Sequence, residues 1–181
     1  MSYPILLIIL VLMWGVMLYN QLVTLRGRVN NSWAQIDVQL KRRFNLIPNL
    51  VNTVKGYAKH EKETLEKVTS SRTRYLSATT PEEKLGANSE LTGALSRLFA
   101  VAENYPDLKA GTNFLDLQKQ LKDTEDKIGF SRQFYNDTAM KYNVAIVKVP
   151  ASLIAGLLGF KSRPYFKTEG EERENVEVKF D

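Results

Sequence analysis

No charged side chain precedes Arg26, and the stretch before it, "PILLIILVLMWGVMLYNQLVTL", is an almost unbroken apolar run from Ile5 to Tyr19, extended by Leu22, Val23 and Leu25. A hydrocarbon core about 30 Å thick needs roughly 20 apolar residues in a helix, the conformation that satisfies its own backbone hydrogen bonds away from water. The run meets that length and predicts a transmembrane anchor over residues 1–25. A cleaved signal peptide fits less well, because no Lys or Arg comes before the apolar run and no small-x-small site follows it. Cations flank only the far side, as Arg26, Arg28, Lys41, Arg42 and Arg43. The positive-inside rule then places the N-terminus outside and the body in the cytoplasm.

The body reads as helices. From Trp33 the apolar residues Ile36, Leu40, Phe44, Ile47, Val51, Val54, Ala58, Leu65, Val68 and Tyr75 follow at steps of three, four or their sum. That is one apolar stripe, so a single long helix is expected from Arg26 to Ser77, either straight as a stalk or bent at Pro48. At "SATTPEE" the next helix begins, with Thr80 as N-cap, Pro81 at its first position and Glu83 completing a capping box. It runs to about Asn104 with Leu85, Leu91, Leu95, Leu98 and Ala102 inward, and Gly86 and Asn88 are expected to fray its start. A third helix, from about Thr112 to Val149, carries Phe114, Leu121, Ile128, Tyr135, Tyr142 and Val149 at steps of seven, the spacing of near-parallel helix packing. After Pro150, "ASLIAGLLGF" is too short to span a membrane; it reads as a short final helix packed on the bundle, or as a self-association patch or interfacial segment.

The expected fold class is therefore all-α: an N-terminal transmembrane helix leading into an elongated antiparallel bundle of three long helices plus a short C-terminal one. One core suits a chain of 181 residues, of which 44% are hydrophobic and 25% charged. Residues 26–166 form the bundle and 167–181 an acidic tail, expected to be loosely ordered, in which "NVEVKF" is a candidate short strand. Charge divides the same way. From Thr168 to Asp181 there are six acids against two cations, whereas Arg26 to Arg74 holds eleven Lys or Arg against four Asp or Glu.

Motifs for chemistry are missing. The one histidine, His60, opens "HEKET", yet a zincin needs a second imidazole four residues on, where Thr64 stands. There is no cysteine, no G-x-S-x-G elbow and no phosphate loop, so no catalytic residue, cofactor or metal is expected and the chain reads as non-enzymatic. Nucleic acid is disfavoured, since "LKRRF" lies close to the membrane span without a helix-turn-helix, zinc or stacking-sheet signature. Lys41, Arg42 and Arg43 are instead the candidate contact with anionic lipid or an acidic partner. A buried polar network is the second candidate. Glu61 lies on the apolar stripe one heptad after Val54 and needs a donor, for which Arg132 is a candidate, while Tyr135-Asn136 recurs as Tyr142-Asn143 and sets two tyrosine hydroxyls among core positions.

These residues carry a resemblance. "WAQIDVQLKRRFNLIPNLVNTVKGYAKHE", "LSRLFAVAENYPDLKAGTNFLDLQKQLKDTEDKI", "SRQFYNDTAMKYNVAIVKVP" and the later "RPYF" resemble the LemA family of bacterial membrane proteins, with the acidic tail as a variable extension. The resemblance implies a single-pass protein of the bacterial cell (inner) membrane with a helical body and no established enzymatic activity. Two functional expectations stand beside it, the first resting on the anchor, the long apolar stripes and the apolar C-terminal segment. One is a scaffold that self-associates as a homo-oligomer and organises a membrane patch or partner proteins. The other is an accessory or regulator of a membrane protease or envelope-stress pathway, with an HtpX-like membrane metalloprotease or a TPM-domain protein as partner.

Overall fold

The structure is a computed structural model that describes residues 2–58 and 61–166. Six helices follow one another: α1 (Ser2–Lys55), α2 (Lys62–Ser77), α3 (Pro81–Ala102), α4 (Pro106–Lys109), α5 (Thr112–Val147) and α6 (Ala151–Leu157). The described residues contain no strand, so the chain is all-α as its apolar periodicity demands. The acidic tail and its "NVEVKF" segment lie outside the described residues, as does His60.

The long first helix begins and ends elsewhere than expected. α1 joins the apolar run and the body in one 54-residue helix, with Pro48 inside it and exposed. The break comes after Lys55, not at the proline. There the amides of Tyr57 and Ala58 both turn back to the carbonyl of Val54, at 3.0 and 2.9 Å, tightening the last turn as helix ends do. The stripe that suggested continuity to Ser77 survives the break, because Val54, Ala58, Leu65 and Val68 are buried on both sides of it. Burial therefore follows the periodicity while the backbone does not.

The start of α3 is as expected. Thr80 accepts from the Glu83 amide at 3.2 Å, and the Glu83 carboxylate accepts from the Thr80 amide at 3.1 Å, a complete capping box ahead of Pro81. The carboxylate also accepts from the Thr79 amide, and these backbone donors hold Glu83 below the usual carboxylate range.

The chain divides into two compact units. One comprises residues 34–131: the second half of α1, then α2, α3, α4 and the first half of α5. Its core is the inward stripe of each helix, including Leu40, Ile47, Leu65, Leu91, Leu98 and Leu121. α2 and α3 pack side by side across the short turn 78–80, and Phe44 stacks on Tyr75 with ring centroids 4.1 Å apart. The other unit comprises residues up to Trp33 and from Arg132 onward: the first part of α1, the end of α5, α6 and an extended strap, residues 160–166. Gly159, at φ +69°, ends α6 in the left-handed conformation that glycine adopts at no steric cost. The Phe160 amide then reaches back to the Ala155 carbonyl at 3.0 Å, closing a Schellman turn that reverses the chain.

Candidate functional site

α1 changes character along its length. From Tyr3 to Tyr19 its large apolar side chains are almost all exposed, and Leu22 is the first fully buried residue. An exposed apolar sleeve of this length is stable only in a solvent of its own polarity, so this part of α1 is a membrane-spanning segment. Protein packing begins where the sleeve ends.

Beyond it, the repeated Tyr-Asn pairs of α5 hold the strap. The Asn143 amide donates to the Arg163 carbonyl at 2.8 Å, and its carbonyl accepts from the Arg163 amide at 2.8 Å. Asn136 does the same with Phe166, at 2.8 and 2.9 Å. Seven residues on a helix rise about 10.5 Å, and three residues of polyproline II rise about 9.3 Å with one full turn, which keeps i and i+3 on one side. The heptad echo on α5 thus matches a three-residue step in a segment whose Pro164 favours that conformation. Around these pairs, the Tyr142 hydroxyl donates to the Lys161 carbonyl at 3.0 Å. Phe166 packs against Tyr135 and Trp33, with centroids 4.5 and 5.8 Å apart. The Arg163 guanidinium also reaches Asn30 at 3.2 Å.

The other unit has a buried charge. Arg43 is 3% exposed, and its guanidinium donates to Asn88 at 2.6 Å, to Thr92 at 3.1 Å and to the Glu125 carboxylate, joining α1, α3 and α5. Asn88 and Thr92 also donate to Glu125, each at 3.3 Å. Burial pulls the guanidinium below its ordinary range and the Glu125 charge opposes that pull. Nearby, Asp37 pairs with Lys84 at 2.6 Å and with Lys41 at 3.2 Å. Burial raises its carboxyl, but the hydrogen bonds and charge of the two lysines prevail and hold it below the usual range. The Tyr75 hydroxyl, raised by burial and by the Asp37 charge, stays protonated.

The sequence matches the LemA family over residues 32–180. This chain belongs to the LemA family. It is 28% identical to protein LemA of Metamycoplasma hominis, across 88% of this chain and 73% of that protein. It is also 28% identical to the magnetosome protein MamQ of Magnetospirillum gryphiswaldense and to magnetosome protein MamQ 2 of Paramagnetospirillum magneticum, across 83% of this chain in each case. The chain spans 65% of the length of these MamQ relatives.

In this LemA-family chain the three adjacent cations do not act together. Lys41 and Arg42 are exposed, but Arg43 is turned inward, which corrects its expected place in a lipid or partner contact. Consecutive helix residues point about 100° apart, so three in a row cannot share a face. Arg43 lies one heptad after Ile36 and one before Leu50, both buried, and that spacing was the available signal. Asn88, expected to fray α3, is likewise buried and bonded. Glu61 accepts from the Tyr105 hydroxyl at 3.3 Å within residues 34–131, whereas Arg132, Tyr135 and Tyr142 belong to the other unit, so the four do not gather in one unit. The residues that sequence reasoning missed are Asn136 and Asn143, whose side chains bond the strap main chain beside the tyrosine of each pair. Among the described residues no group of three or more His, Asp or Glu side chains is placed to hold a metal ion.

Proposed function

We propose that the chain is a membrane-anchored, non-enzymatic helical scaffold that self-associates and organises a membrane patch or partner proteins. The observation that carries this reading is a second apolar stripe on α5. Met140, Val144 and Val147 are exposed at steps of four and three, while Ala139, Tyr142 and Ile146 of the same stretch are buried. Steps of four and three are those by which one helix seats against another, and an exposed apolar row on an ordered helix is a surface suited to a partner. Tethering by α1 would raise the effective concentration of such rows in the plane of the membrane. The MamQ relatives are named for the magnetosome and not for a reaction, which fits a structural role. Arg26 and Arg28 beyond the span support a cytoplasmic body and an outside N-terminus.

Because the chain has no cysteine, a single Val144→Cys substitution reports only on this row. Oxidation of full-length protein in native membranes is expected to give a disulfide-linked dimer at Val144→Cys and none at Leu76→Cys, an exposed apolar site on α2. Absence of the dimer, together with a strictly monomeric mass in several mild detergents, would overturn the proposal.

A further inference from the structure

Neither the strap nor the α5 row accounts for the segment just after α5. Leu153 and Leu157, one turn apart on the same face of α6, are 75% and 86% exposed, and Val149 and Leu158 beside them are exposed as well. Phe160 fixes the level of this segment along α1. The Schellman turn at Gly159 sends the Phe160 ring onto α1, where it meets Tyr19 edge-on at 6.1 Å and lies 5.0 Å from the Arg26 guanidinium. Tyr19 is the last residue of the unbroken apolar run and Arg26 the first charge. The ring therefore marks the level at which α1 passes from hydrocarbon to water, and α6 ends three residues before it.

Charge points the same way. From Thr138 to Phe166 there is no Asp or Glu, while Lys141, Lys148, Lys161 and Arg163 are present. Lys148 and Lys161 are exposed and bracket the apolar stretch. A lysine stem can lie along acyl chains with its ammonium among phosphates, and an anionic leaflet attracts each such cation.

We propose that α6, with Val149 and Leu158, lies in the headgroup and acyl boundary of the bilayer that α1 crosses, its leucines among lipid chains and Lys148 and Lys161 on anionic headgroups. This rests on the membrane-spanning reading of α1. At about 10 Å, α6 is too short to span and long enough to lie in the boundary layer, where amphipathic helices bury one apolar face. The chain is then held to the bilayer at two places along its sequence, and rotation about α1 is restrained.

Spin labels on single cysteines test this in full-length protein reconstituted into nanodiscs containing anionic lipid. Leu153→Cys and Leu157→Cys are the test sites, Ile9→Cys the in-bilayer reference and Leu76→Cys the aqueous one, all at exposed positions. Relaxation by oxygen, which partitions into lipid, is compared with relaxation by a water-soluble nickel chelate. The ratio at Leu153 and Leu157 is expected to exceed that at Leu76 several-fold and to approach that at Ile9. Ratios equal to that at Leu76, with Ile9 still lipidic, overturn the proposal and leave the anchor intact. An aqueous Ile9 overturns the anchor and the proposal with it. Protection from both reagents with dipolar broadening between labels on two copies assigns the face to a second copy, and that also overturns the proposal.

Discussion

In residues 34–131 side chains from α1, α3 and α5 converge on the buried Arg43 guanidinium, whereas in the unit that holds residues 132–166 two asparagine amides are used on the main chain of a strap. The first arrangement reads side chains. It fixes the register of α1, α3 and α5 together, since only one set of offsets brings Arg43, Asn88, Thr92 and Glu125 within bonding distance. The second reads only backbone, so it places a segment without demanding much of its sequence. A network of the first kind should fail as a whole, and a clamp of the second kind should release locally.

The largest expected effect breaks the first arrangement from its acidic side. Glu125→Ala leaves the Arg43 charge buried without its anion, and we expect a loss of about 3 kcal/mol, the low end for breaking a buried ion pair because Glu125 itself is 37% exposed. Arg43→Met should cost less, about 1–2 kcal/mol, since the carboxylate it strands can be hydrated and a methionine fills much of the same space. Urea unfolding of the two variants checks the order. A larger loss for Arg43→Met would show that the guanidinium's packing matters more than its charge.

The clamp should respond differently. Asn143→Ala and Asn136→Ala each remove a bidentate pair to the strap, and each is expected to weaken its docking by about 1–2 kcal/mol with the midpoint of global unfolding unchanged. The Lys161 carbonyl is held by Tyr142, so tryptic cleavage after Lys161 needs the strap to open. Faster cleavage there, rising further in the double variant, is the expected reading. Equal cleavage of wild type and double variant would mean that Phe160 and Phe166 hold the strap without the asparagines.

What the sequence made legible was what repeats along one helix. The anchor, the apolar stripes and the Thr80 to Glu83 capping box depend on neighbours within a few residues, and all are present. The periodicity predicts a helix continuous to Ser77, straight or bent at Pro48; α1 passes Pro48 and stops after Lys55, and the stripe hides that end because Val54, Ala58 and Leu65 are buried on both sides of it. Arg43 was hidden by its neighbours: beside Lys41 and Arg42 it resembles part of a surface cluster, and only its heptad distance from Ile36 and Leu50 sets it apart. The clamp was half legible. The Tyr-Asn echo stands out, but the asparagines' partner is main chain, which leaves no side-chain pattern to read.

The smallest effect sharpens the comparison by pH. Asp37 is a side-chain reader like Glu125, and its carboxyl lies below the ordinary value of 3.8 through Lys84 and Lys41. A group lowered on folding contributes stability above its unfolded value and loses that contribution as the pH falls through its folded one. Wild type should therefore exceed Asp37→Asn by about 1 kcal/mol at pH 7. The gap should stay constant down to about pH 4 and then close below it as Asp37 takes up a proton. Asp37 belongs to residues 34–131 and makes none of the strap contacts described above, so cleavage after Lys161 in protein held at pH 7 should not distinguish Asp37→Asn from wild type. Unfolding curves of both proteins at pH 7, 5 and 3 measure the gap; one that widened toward pH 3 would reverse the sign assigned to Asp37 and place its lysine partners elsewhere in solution.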